Sequence, residues 1–224
     1  MSDDFGLDLE RLDRDGALAE ARAGLSRRAF FVGVAAGTGG VLLYRSADAP
    51  AQTAADVDVL NYALVLEYLQ SAFYTEAERS KAIKGRAGTA AKKVGAVERA
   101  HVKAFKDLLG SRAVKKPQFD FQGVTEEPRA FLKTAVAFED LAVAAYKGEA
   151  PKLQTPAIIT SALGIHTVEA RHAAWMRYLY GIRPAVNAFD EPSSRAEINK
   201  IVRETGFVTS AAQTRSSQAP RYTG

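Results

Sequence analysis

The sequence has no cysteine and only three histidines among its 224 residues. The lack of thiols excludes a disulfide scaffold, a thiolate zinc site, an iron–sulfur cluster and a cysteine nucleophile. So few histidines exclude a His-rich metal tract. No basic run is interleaved with aromatics and the net charge is only +4, so no nucleic-acid partner is expected. No apolar stretch reaches the ~20 residues of a membrane-spanning helix. Strand signals are missing, and no proline occurs from 51 to 116. What is present is 47% hydrophobic and 25% charged residues, a globular mixture that excludes disorder over the whole length. The length suits one domain or two.

The first fifty residues read as an address rather than a fold. A polar, acidic start leads to Ser26-Arg27-Arg28-Ala29-Phe30-Phe31 and an apolar run of about 14 residues ending at Leu43. Small residues follow at Ala47, Ala49 and Ala51. Charge, short apolar segment and small residues, in that order, make an export signal. The paired arginines resemble the twin-arginine signal. That resemblance implies the twin-arginine machinery as a partner and the periplasm or cell envelope as the destination. It also implies export of an already folded chain, often with a metal loaded. Ala49-Pro50-Ala51 offers a cleavage site that would start the mature protein at Gln52. The expected division is a signal over 1–51, a helical domain over 52–208 and a flexible tail over 209–224.

From Asp56 onward the pattern is helical, with Leu60, Ala63, Leu64, Glu67, Ala72 and Phe73 mostly three or four apart. Glycines at 85 and 88 are expected to break the run, and a second helix is predicted over about 89–109, stopped by Gly110. A polar connection of about 15 residues follows. Glu126-Glu127-Pro128 opens a third helix ending near Gly148, and Thr155-Pro156 opens a fourth ending at Gly181. The capping box Ser194-Arg195-Ala196-Glu197 starts a short fifth helix to Glu204. The fold class is therefore all-α: two antiparallel hairpins joined by a crossover into a four-helix bundle, plus a short C-terminal helix.

The two hairpins repeat each other. Leu66 to Tyr74 aligns with Phe138 to Tyr146 at an offset of 72, matching Glu67 with Glu139 and Tyr74 with Tyr146. Val97-Glu98-Arg99-Ala100-His101 aligns with Val168-Glu169-Ala170-Arg171-His172 at an offset of 71. Each hairpin thus supplies one lone Glu and one Glu-x-x-His. In Glu-x-x-His both side chains share a helix face one turn apart and can bind one metal centre. Each lone Glu and its Glu-x-x-His partner lie about 15 residues, or ~22 Å, from their turn, so they meet at one level. Four buried carboxylates would repel or take up protons, whereas two divalent cations neutralise them. The expected metal ligands are Glu67, Glu98, His101, Glu139, Glu169 and His172. Carboxylate with imidazole suits iron, manganese or zinc rather than calcium; of these, iron is the expected metal, with manganese next.

This pattern resembles the ferritin-like superfamily, whose bundles hold two irons or manganeses on such a set. Local phrases resemble the ferritin-like domain family that includes desiccation-related proteins: Asn61 to Leu69 with Phe73-Tyr74, Ala145-Tyr146-Lys147-Gly148, and Ala188-Phe189-Asp190-Glu191-Pro192. The resemblance covers about 56–208. Members often carry a second Glu one turn after the first, where this chain has Gln70.

Tyr74 and Tyr146 lie seven residues after Glu67 and Glu139, on the same helix face. They read as core packing, as hydrogen-bond donors to the ligands or as groups that pass electrons, and Gln70 reads as a donor to the ligands from behind. His166, in His166-x-x-Glu169-x-x-His172, reads as structural, as an outer hydrogen-bonding group or as an extra ligand. Trp175 reads as packing. Two functions fit. One is a di-metal oxidoreductase acting on oxygen, peroxide or ferrous iron: a ferroxidase, peroxidase or catalase-like protein. The other is a stress-protective bundle in which metals only staple the fold. Iron storage is a weaker third reading, and a homo-oligomer is admitted without being required.

Overall fold

The computed structural model describes residues 52–185 and 187–210. The expected export signal, its cleavage site and the chain from 211 onward lie outside these residues. Thr53 opens α1 (Ala54–Ser80) with a capping box, its hydroxyl accepting from Asp56 N–H while Asp56 Oδ2 accepts from Thr53 N–H. α2 (Gly85–Leu109) begins about four residues earlier than the glycines suggested. Glycine disfavours a helix by about 1 kcal/mol, but Ala90, Ala91 and Val94 bury completely or nearly so in the core, and packing decides.

Glu127 caps α3 (Pro128–Glu149), its carboxylate accepting from the N–H groups of Arg129 and Ala130. α4 (Pro156–Tyr180) ends at Gly181, whose φ of 90° suits the residue without a Cβ. α5 (Arg195–Glu204) starts with the expected Ser194–Glu197 capping box.

α1 packs along α2 and α3 along α4, and the hairpins meet through α1–α3 and α2–α4. This is the expected four-helix bundle with its short C-terminal helix. Two short strands were not expected. β1 (Gln118–Phe119) in the crossover pairs antiparallel with β2 (Val208–Ser210) after α5, with an irregularity between the two pairs. Strands of two and three residues are too short to show alternation in sequence. The ribbon reaches Ser210, so regular structure extends two residues into the segment expected to be a loose tail.

Two apolar clusters fill the ends of the bundle. Phe73, Phe121, Phe131, Phe138, Met176 and Phe207 fill the end at the α1–α2 turn, and Phe73 stacks on Phe131 with ring centroids 5.2 Å apart. Leu60, Leu64, Phe105, Leu109, Ile158 and Ile165 fill the end at the α3–α4 turn. Trp175 packs against the first cluster, as expected. α5 docks through Ile198 onto Leu66, Leu141 and Ala145, and Arg195 binds Glu149 and Asp58.

Asp56 joins the hairpins. Its buried carboxylate accepts from Gln154 N–H at 2.8 Å, Thr155 N–H at 3.3 Å and the Thr155 hydroxyl at 2.7 Å, besides Thr53. Thr155 therefore precedes α4 as expected, but its hydroxyl serves Asp56 rather than capping its own helix. Among the described residues no helix is long and apolar enough to cross a membrane.

Candidate metal centre

Between the two apolar clusters the four long helices turn carboxylates and imidazoles inward. α1 brings Glu67, α2 Glu98 and His101, α3 Glu139, and α4 Glu169 and His172; all six are buried. The repeat places one lone Glu on the first helix of each hairpin and a Glu-x-x-His turn on the second, so folding superimposes them at mid-bundle. His101 Nδ1 lies 3.3 Å from Glu67, 3.4 Å from Glu98 and 3.1 Å from Glu169. His172 Nδ1 lies 2.9 Å from Glu98, 3.6 Å from Glu139 and 3.9 Å from Glu169.

Two groups of four result: Glu67, Glu98, His101 and Glu169, and Glu98, Glu139, Glu169 and His172, with the donor atoms of each within 4.8 Å of one another. Glu98 and Glu169 belong to both. Despite the short distances, Glu67 Oε2, both oxygens of Glu98, Glu169 Oε1 and both Nδ1 atoms are buried with no hydrogen-bond partner. Buried polar atoms are rarely left so, and six of them converging is the arrangement a cation satisfies. The donor set of carboxylate and imidazole fits first-row divalent ions, and these residues could hold two of them.

The electrostatics agree. Burial pushes the Glu67 carboxyl up to about 7 against the pull of His101. Burial also raises Glu169 well above the ordinary range, and the Glu98 charge adds to it. Glu98 behaves oppositely: burial resists its ionisation, but the imidazoles of His101 and His172 hold it down to about 2. Burial favours neutral imidazoles, yet the surrounding carboxylates raise His172 to about 10 and His101 well above its usual value. Binding a divalent cation here would displace protons from these groups.

The residues behind the ligands cross between hairpins. Tyr146 on α3 donates to Glu67 Oε1 on α1 at 2.5 Å, and Tyr74 on α1 donates to Glu139 Oε1 on α3. Each tyrosine shares a helix with one glutamate but bonds to the other hairpin's. Seven residues span ~10 Å along a helix, and a side chain tilted toward its N-terminus reaches across to the facing helix instead. Burial, with the nearby Glu139 and Glu67 respectively, keeps both phenols protonated and therefore donating. Gln70 Nε2 also crosses, to Glu139 at 3.2 Å and Glu169 at 3.5 Å.

α2 presses close to Tyr74 because Gly95 has no side chain; a Cβ there would sit 2.8 Å from Tyr74 Cβ. His166 is half-buried near the Tyr146 ring and belongs to neither group of four. Nothing in the sequence marks Asp56 or Gly95 as functional, although the Thr53–Asp56 spacing signals a cap.

A search of the curated proteins finds none that matches the chain. Residues 55–181 match a family model described as a ferritin-like domain. That match covers more than half of the chain and contains all six inward carboxylates and imidazoles, and the chain belongs to the ferritin-like domain family.

Proposed function

We propose that this is an exported di-metal carboxylate protein, redox-active toward oxygen, peroxide or ferrous iron. The observation that carries the reading is the convergence of six partnerless buried donor atoms from two look-alike hairpins. Iron or manganese bound there would supply two adjacent one-electron changes, enough to reduce one dioxygen with two protons to hydrogen peroxide, or one peroxide with two protons to two waters. The chain's own part is to hold and screen. Glu98 and Glu169 present oxygens to both groups and fix their separation. Tyr74, Tyr146 and Gln70 hold the carboxylates of Glu139 and Glu67 in one orientation. The apolar clusters at either end keep bulk water away.

Export is supported by the Ser26-Arg27-Arg28 segment and the apolar run after it, with the mature protein starting near Gln52 and the bundle occupying 52–208. Resemblance to desiccation-related proteins supports the second reading, a bundle for envelope stress protection in which metals only staple the fold. One observation favours a purely structural role. Each group offers four protein donors, and four close a tetrahedral zinc site.

Metal content of the purified protein, followed by addition of oxygen, peroxide or ferrous iron, separates these. Two irons or manganeses with turnover is the expected result; two zincs without turnover would establish the staple. Unprocessed protein in the cytoplasm after Arg27→Lys with Arg28→Lys is the expected export result, and unchanged export would refute that part.

A further inference from the structure

A cavity lies at the α3–α4 end of the bundle, beside the metal centre but not part of it. Its wall includes Val59, Leu60 and Leu66 of α1, Phe105 of α2, Tyr146 of α3 and Ile165 of α4. From Val59 to Leu66 the wall follows ~10 Å of helix and stops one residue short of Glu67. The inner wall is Tyr146, whose hydroxyl donates to Glu67. The cavity's volume is about 30 Å³.

The wall offers almost nothing polar. Ser161 donates to Ala157 O, Glu149 is taken by Lys152 and Arg195, and Tyr146 is taken by Glu67. The Tyr62 hydroxyl is buried without a partner. One such group falls short of the two to four partners a buried water needs, and apolar cavities of small volume stay dry. Hydrogen peroxide, with two hydroxyls, and ferrous iron, with its charge and hydration shell, would lose their partners on entering. A small apolar diatomic loses none.

We infer that this cavity receives dioxygen and delivers it to the metal centre past the Tyr146 ring. The inference rests on the redox reading above and assigns this route to oxygen among its three substrates. Tyr146 is then a positioning residue twice over: its hydroxyl orients Glu67 and its ring separates the dry cavity from the polar cluster.

The test uses xenon, an apolar probe of similar size, on the purified protein with and without metal. Xenon is expected in the cavity by crystallography under pressure or by its nuclear resonance shift. Ala63 of α1 and Ala162 of α4 also line the cavity, and Ala63→Phe and Ala162→Phe, each checked for folding by thermal unfolding, are designed to fill it. Both should exclude xenon. In the metal-loaded protein they should slow oxygen-dependent oxidation about tenfold and leave the peroxide-dependent reaction unchanged. No xenon in the wild type, or xenon excluded with the oxygen rate unchanged, overturns the inference while the redox reading stands. A loaded wild type that consumes neither oxidant overturns both.

Discussion

Replacing Glu98 and replacing Glu67 by glutamine should have unequal effects, although both are buried in one cluster. Glu98 belongs to both groups of four, Glu67 to one. Glu98→Gln is therefore expected to lose both ions and Glu67→Gln only one. The difference persists in chelator. Glu98 lies 3.4 Å from His101 Nδ1 and 2.9 Å from His172 Nδ1, and it is held down to about 2. Its charge compensates two imidazoles that carry protons at neutral pH. Removing one partner from such a buried set costs about 3–5 kcal/mol.

Burial pushes the Glu67 carboxyl up to about 7, so it takes up a proton far more readily than Glu98, and glutamine resembles that protonated form. Its replacement costs on the order of 1 kcal/mol. At about 2–4 °C per kcal/mol, Tm in chelator should fall by ~10 °C for Glu98→Gln and by ~3 °C for Glu67→Gln. An ion held at a hundred times its Kd adds about 2.7 kcal/mol. The wild type should then gain ~5 kcal/mol from metal, Glu67→Gln about half, and Glu98→Gln nothing. Metal content by mass spectrometry and thermal unfolding with and without chelator measure both. Equal stoichiometry in the two variants, or the reverse order of Tm in chelator, would refute the shared-ligand assignment.

Other outcomes follow from single contacts. Tyr74→Phe removes the donor to Glu139, and Tyr146→Phe the donor to Glu67. Each should weaken one ion about 10–100-fold, resolved as two unequal steps in competition titration, with the opposite step affected in each variant. Asp56 is held below the usual carboxylate range because its hydrogen bonds outweigh burial. Its stabilisation is complete above the unfolded pKa of about 3.9 and is lost as pH falls toward the folded value. Asp56→Ala should therefore lower stability by about 2–4 kcal/mol at neutral pH and flatten the acid limb of a urea-unfolding series. Gly95→Ala gains about 1 kcal/mol of helix propensity but sets a Cβ 2.8 Å from Tyr74. A net loss of about 1–2 kcal/mol is expected in denaturant unfolding, and any gain would show that α1 and α2 separate freely.

What the sequence made legible is what a single helix fixes. Glu98 with His101, and Glu169 with His172, lie on one face because three residues is nearly one turn, whatever else packs nearby. The caps at Glu127 and Ser194 are local for the same reason. The start of α2 departs from the sequence expectation because glycine propensity is local while the burial of Ala90, Ala91 and Val94 is not. The ribbon of β1 and β2 brings together residues some ninety positions apart, with too few in either strand to leave a period. The Tyr74–Glu139 and Tyr146–Glu67 bonds depend on how α1 and α3 are rotated against each other, and the spacing of seven within each helix points to the wrong partner.

That exchange of partners gives the internal repeat a physical meaning. Each group of four takes three residues from its own hairpin and one from the other, Glu169 for the first and Glu98 for the second. Each lone glutamate is oriented by a tyrosine of the opposite hairpin. Neither hairpin therefore contains a complete half-site, and docking the hairpins and assembling the donor set are one event. Asp56 reinforces the same junction from the bundle end, joining the start of α1 to the start of α4. A cation held by such a set binds the folded arrangement and has no equivalent in separated hairpins, so its binding free energy acts on the interface between them. The apolar clusters give each hairpin a reason to collapse; the shared carboxylates specify the register at which the two halves meet.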